Sequence, residues 1–364
     1  MPTHWSANLL MIDLPWLIYI IYVFITILSM QILVIMIIGL YKKNAQRNKL
    51  AWKQIINDQI TAAIFYEGPE EGFEAVDTIP SSLIKNRKFR QVFIDEIIHA
   101  KKSFSGTIIH NLVLLYQQFG LQTDSYKKLK GRKWQTKARG INELALLRQT
   151  KYVQKLFRLS NNNNELVRTE AQCGLVCLYG FPGLRFLNVV RYPVSEWQQI
   201  QLLNKLKDVQ TLNLESVKKW LQSSNESVVI FALKLAAFYK NYLLYNSVLN
   251  CLNHSSAKIK LLVLDYLKNM PEAGTCQHVI SNYFTAHKDC KLAMLRLIQE
   301  IGSQTELPFL FSLLKDKDED IREVSAIAIS ALHPMGKACL QSKQFDKLNG
   351  EGTTYVQIIK EQVA

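Results

Sequence analysis

The sequence predicts an all-α chain: a single amino-terminal transmembrane helix followed by an α-solenoid of about seven short helical hairpins. Three observations predict it. Residues 16–40 are an uncharged apolar run of membrane length. Gly and Pro are sparse, 15 and 9 among 364 residues, which disfavours both a β-sandwich and disorder. A helix–turn–helix pattern also recurs at a near-constant spacing from residue 139 to residue 322.

The apolar run reads WLIYIIYVFITILSMQILVIMIIGL, with Thr26, Ser29 and Gln31 its clearly polar members. A helix needs ~20 apolar residues to cross the hydrocarbon core, so this one spans with some tilt. Trp16, Tyr19 and Tyr41 stand where interfacial aromatics are found. No Lys or Arg precedes the run, whereas Lys42, Lys43, Arg47, Lys49 and Lys53 follow it. A cleaved signal peptide would carry a basic leader, a shorter apolar stretch and a small-residue cleavage site. The positive-inside rule therefore puts residues 1–15 outside and the carboxyl-terminal side in the cytoplasm.

Residues 41–125 are predicted to form a basic juxtamembrane helical connector. Residues 44–65 continue the helical pattern. Residues 66–82 are acidic with breakers and read as a linker. Helical periodicity returns over 86–119, with Gly106 between its apolar parts and Gly120 as a stop.

Residues 126–364 are predicted to be the repeat solenoid. Its clearest unit is LPFLFSLLKDKDEDIREVSAIAISAL. A first helix runs from about 307 to 314, a turn spans 316–320, and a second helix starts near 321. Taking Arg322 as the register mark, Lys291, Lys260, Val229 and Gln198 follow at 31-residue steps towards the amino terminus. Arg168 lies 30 residues before Gln198, and Arg139 lies 29 before Arg168. One such hairpin cannot bury its own apolar face, but stacked neighbours can, which is the logic of a solenoid. Gly180 with Pro182, Pro271 with Gly274, Gly302 with Pro308 and Pro334 with Gly336 mark the joins. A last helix over 355–362, after the NGEG break, is expected to cap the array.

The polar turn followed by LVR (166–168) or DIR (320–322) and a small-residue second helix resembles the short variety of HEAT repeat, an armadillo-like α-solenoid. The stretches RKWQTKARGINELALL and WLQSSNESVVIFALKLA are similar to a group of bacterial inner-membrane proteins. These have one anchor, a basic connector and HEAT-like repeats. Members of that group are often encoded beside a membrane glycosyltransferase. The resemblance implies an inner-membrane, single-pass protein with its solenoid in the cytoplasm and a membrane glycosyltransferase as partner.

The formal charge is +14 and the pI about 9.4, which favours anionic partners. The excess is uneven: residues 42–160 hold 22 Lys/Arg against 10 Asp/Glu, and residues 161–364 hold 22 against 19. It is densest at Lys127, Lys128, Lys130, Arg132 and Lys133, the candidate contact for anionic lipid or a partner. A solvated edge is the alternative reading. Nucleic acid is the less expected ligand, because Tyr126 and Trp134 are the only stacking aromatics near these cations.

Catalytic patterns are scarce. No phosphate-cradling Gly loop, Gly-x-Ser-x-Gly or His-Glu-x-x-His occurs. The acids of 316–320 lack the Gly and the twelfth-position Glu of a calcium loop, and read as a solvated turn. Cys276, His278, His287 and Cys290 lie at opposite ends of one predicted helix, too far apart for one zinc. Cys173 and Cys177 read as core thiols, part of a reduced cysteine set. His99 and His110 have no nucleophile or paired carboxylate nearby. Trp134, Trp197 and Trp220 read as packing residues near helix starts, or as partner anchors. The expectation is a membrane-tethered protein-interaction scaffold with no cofactor, no metal and no enzymatic activity. The alternatives are a lyase-type HEAT-like enzyme and a nucleic-acid-binding solenoid using residues 127–139.

Overall fold

The structure, a computed structural model, describes residues 14–66, 68, 79–209 and 212–332. Every regular element among them is helical. The chain divides into two compact units, Met1–Gln149 and Thr150–Ala364.

In the first unit, α1 runs unbroken over Leu14–Ile64. Pro15 sits in its first turn, where a missing N–H costs nothing. From Trp16 to Tyr41 every described side chain is exposed, with Ile35 at 69%. A helix apolar on all sides belongs in a core or a bilayer, and no described residue of the unit covers this one. Its other end is amphipathic: Ile56, Ile60 and Ala63 recur at helical spacing and are buried. They pack against α3 (Arg87–Ser103) and α4 (Thr107–Gln118). The short α2 (Ser81–Lys85) precedes α3. Asn86 caps α3 by accepting from the Lys88 and Phe89 amides. Gly106 precedes α4 with φ +67°, a left-handed conformation that glycine adopts without steric penalty. Helices α5 (Gln122–Leu129) and α6 (Trp134–Leu146) close the unit as a hairpin.

The solenoid boundary expected at residue 126 therefore falls inside α5, and the α5–α6 hairpin belongs to the first compact unit. Most of the linker, residues 1–13 and the capping helix over 355–362 lie outside the described residues.

The second unit is a row of hairpins. The first arms are α7 (Val153–Leu159), a 3₁₀ segment over Phe181–Asn188, α10 (Leu214–Leu221), α12 (Tyr245–Leu249) with its 3₁₀ extension, α14 (Thr275–Tyr283) and α16 (Leu307–Leu313). The second arms are α8 (Glu165–Tyr179), α9 (Glu196–Lys205), α11 (Glu226–Tyr239), α13 (Ala257–Asn269), α15 (Lys288–Ile301) and α17 (Glu319–Leu332). Within that row α11 packs on α13, α13 on α15 and α15 on α17, the neighbour stacking of an α-solenoid. Polar turn residues start the second arms: Asn164, Ser195 and Asn225 accept amide hydrogen bonds from the first turn.

The structure corrects the register. Arg168, Val229, Lys260, Lys291 and Arg322 are each the residue whose amide bonds back to the helix-capping carbonyl, closing the first turn. Gln199 and Lys137 hold that place in α9 and α6, whereas Gln198 and Arg139 stand one residue before and two residues beyond it. The spacing between structurally equivalent residues is then 30 or 31 throughout. The 29-residue step came from following residue type to Arg139, and the misplaced Gln198 from counting 31 back from Val229 where the spacing is 30. Backbone position is what repeats, and the basic side chain is optional there.

Candidate functional site

The basic stretch splits in two. Lys128 is engaged inside the first unit: its Nζ lies 2.5 and 2.6 Å from the two carboxylate oxygens of buried Glu143. Glu143 also accepts from Ser125 at 2.6 Å, Gln91 at 3.1 Å and Arg139 at 3.1 Å. Arg139 reaches on to Asp95 at 2.6 and 2.8 Å. Burial lowers the pKa of Lys128, and its bond to Glu143 opposes that shift. Lys128 and Arg139 thus tie α3, α5 and α6 together. Lys127, Lys130, Arg132 and Lys133 remain exposed; Lys130 lies 5.1 Å over the Tyr126 ring.

Two register arginines share one geometry. Arg168 Nη1 donates to the carbonyls of Asn162 (2.8 Å) and Asn163 (3.2 Å), six and five residues back. Arg322 Nη1 donates to Asp316 (3.0 Å) and Lys317 (3.2 Å) at the same offsets. In each case one terminal nitrogen of the planar guanidinium bridges the two carbonyls, held in orientation by the rest of the group. Arg168 also lies 4.2 Å over the Tyr192 ring. Lys291 lies over Tyr283, and Lys260 is half-buried. The two arginines brace their turns.

On the second arms a groove of about 720 Å³ opens at the starts of α9, α11 and α13. Arg191, Glu196, Gln199, Asn225, Glu226 and Lys258 line it. Lys258 and Glu196 form an exposed ion pair across it at 2.6 Å. Trp197 beside it is 67% exposed, with Ile200 and Leu166 also exposed. Leu166 and Trp197 are 31 residues apart, so they occupy successive units. An apolar row flanked by charges of both signs suits a protein surface. Trp134 is 39% exposed at the start of α6. Trp220 packs as expected, buried against Phe181 and bonded to Asn188, but it lies near the end of α10 and not at a helix start.

In the acidic turn over 316–320, Lys288 pairs with Asp318 at 2.7 Å and Asp320 at 2.6 Å. Among the described residues no group of three or more His, Cys, Asp or Glu is placed to hold a metal. None of the five described cysteines forms a disulfide. Cys173 is buried as expected, but Cys177, one turn on, is exposed. Sequence reasoning missed Glu143 as the centre of its network. The available signal was a carboxylate inside the apolar run INELALL, four residues after Arg139.

Residues 307–335 match the HEAT repeat family model. No curated protein sequence matches the chain. Among solved structures, human deoxyhypusine hydroxylase in complex with glycerol is similar at 11% identity. The match covers 78% of this chain and 98% of that one, with a TM-score of 0.30. That neighbour is an enzyme, which contradicts the expectation that this chain is not one; the expectation is withdrawn. A likeness of that degree transfers no residue role. The family match, on α16 and α17, supports a HEAT-repeat protein.

Proposed function

We propose that the protein is a scaffold tethered to the cytoplasmic face of a membrane, with α1 as its anchor and the second arms of its HEAT-like hairpins as the surface that binds another protein. One observation carries the reading. A single unbroken helix has bare apolar surface from Trp16 to Tyr41 and a packed face at Ile56, Ile60 and Ala63. An anchor joined rigidly to a folded unit holds that unit at the bilayer. Tethering then raises the effective concentration of a membrane partner without any new contact. By the resemblance in its sequence, a bacterial membrane glycosyltransferase making a surface polysaccharide or glycolipid is the partner class to test first. The groove beside Trp197 is the surface assigned to it.

The test is affinity capture of the detergent-solubilised full chain, with identification of co-purifying membrane proteins at several salt concentrations. The reading expects a membrane protein recovered above a mock control and lost from Trp197→Ala/Ile200→Ala. Recovery of nothing above control counts against it.

A further inference from the structure

Beyond the flank that directly follows the apolar run, the fold of the first unit returns a second set of cations to the same level. Lys88 opens α3, yet its Nζ donates to the Tyr41 hydroxyl at 3.2 Å and lies 5.8 Å from the centre of that ring, across 47 residues of sequence. Tyr41 directly follows the apolar run, and Lys42 and Lys43 follow it. Lys85 and Arg87 adjoin Lys88, and all three are exposed. Further from Tyr41 on α1, Arg47 and Lys49 stand ~9 and ~12 Å along the axis at 1.5 Å per residue, and beyond them Lys53, like Arg90 on α3, is engaged elsewhere. Lys53 pairs with Glu96 at 2.6 Å. It also stands 12 residues beyond Tyr41, ~18 Å along the axis at 1.5 Å per residue. Arg90 pairs with Asp124 at 2.5 Å and donates to the Phe119 and Gly120 carbonyls. Lys88 meets a neutral hydroxyl, and no ion pair with a described carboxylate forms at Lys42, Lys43, Lys85, Arg87 or Lys88.

We infer that Lys85, Arg87 and Lys88 join Lys42 and Lys43 as a cationic collar that binds the phosphates of anionic lipids at the membrane boundary and fixes the angle of the first unit to the bilayer. The inference rests on α1 being the membrane anchor. Its occupant follows from continuity and charge: the collar is continuous with the exposed apolar helix, so an inserted α1 brings these side chains to headgroup depth, where the phosphates are anionic. The 127–133 stretch has no such tie to the end of the run, and Lys128 within it is held by Glu143.

The experiment uses the full chain in two assays. Alkaline carbonate extraction of membranes reads anchoring. Titration of the detergent-solubilised chain with short-chain phosphatidylglycerol or phosphatidylcholine, followed by native mass spectrometry, reads lipid preference. Wild type is expected to stay with the membrane and to prefer phosphatidylglycerol. Lys85→Gln/Arg87→Gln/Lys88→Gln is expected to stay with the membrane but to lose at least ten-fold of that preference; three contacts near a surface together give on the order of 100-fold. Lys85→Arg/Lys88→Arg is expected to retain it, which separates charge from misfolding, as is Lys127→Gln/Lys130→Gln/Lys133→Gln. Membrane retention with equal affinity for the two lipids, as when carboxylates of the chain itself occupy the collar, overturns the inference and leaves the anchor standing. A change under three-fold in the triple variant overturns it too. Release of wild type by carbonate overturns the anchor and the collar together.

Discussion

Glu143 shows how one side chain can organise a unit. It is buried, accepts from Ser125, Gln91, Lys128 and Arg139, and joins three helices. Removing it leaves the largely buried ammonium of Lys128 without its counter-ion, which costs more than the pair contributes when intact. Glu143→Ala should destabilise the first unit by about 3 kcal/mol in chemical denaturation, whereas Lys127→Ala, at an exposed position, should stay within about 0.5 kcal/mol. The thiols give a pH dependence. Burial pushes Cys173, Cys251 and Cys276 up to about 11 from the ordinary value of 9.0. Their folded forms hold protons that the unfolded chain releases. The stability this contributes is intact below pH 9 and lost as pH rises towards 11. The fall in Tm across that window should be shallower in Cys251→Ala. In the native protein iodoacetamide should label exposed Cys177 ahead of those three, as read by peptide mass spectrometry.

Among the elements, the hairpins are held by what their turns and close approaches demand. Arg168 and Arg322 brace equivalent turns, but Arg168 is more buried and adds the Tyr192 stack. Charge-assisted bonds of this kind contribute about 1.5–3 kcal/mol. Arg168→Ala should therefore cost about 2 kcal/mol and more than Arg322→Ala, and Arg168→Lys should recover only part of it. The 3₁₀ arm over 181–188 lies so close to α8 that a Cβ at Gly183 would come within 2.3 Å of the Leu175 carbonyl oxygen. Backbone on both sides leaves no side chain to move aside, so Gly183→Ala should lower the Tm of the second unit by several degrees. Much of this level was legible in the sequence. The polar turns, the Gly180 stop and the hairpins of 257–332 follow from capping chemistry and 3.6-residue periodicity, and the observed helices agree to within two residues over 307–332. Arg139 was misplaced because charge type is a poor marker of backbone position, and Gln198 because a constant 31-residue step was carried through a join where the spacing is 30. The 3₁₀ arm escaped for a similar reason: its apolar residues fit a helical pattern, and only the approach of Gly183 to α8 distinguishes it. The Glu143 network and the tie from Lys88 to Tyr41 join residues 52 and 47 apart in sequence, and no local pattern encodes such contacts.

For the whole molecule, α1 is proposed to be two things at once. Its first half has an apolar surface that no described residue of the first unit covers and that we propose the bilayer covers, and its second half is part of a folded core. Replacing Ile56 and Ile60 by Asp should therefore loosen the first unit while leaving membrane retention intact. Increased proteolysis of unit 1 in a membrane fraction that still resists carbonate would report it. Charges placed in the run, as in Ile27→Arg/Val34→Arg, should do the reverse, because charged residues at the bilayer centre cost about 2.5–3.5 kcal/mol each. The most direct measurement of the central claim is protease accessibility in spheroplasts compared with inside-out membrane vesicles. The account predicts repeats that survive protease added to intact spheroplasts and are digested down to a membrane-retained fragment around α1 in inside-out vesicles. Digestion of the repeats from the outside, or their release intact from the membrane, would contradict it.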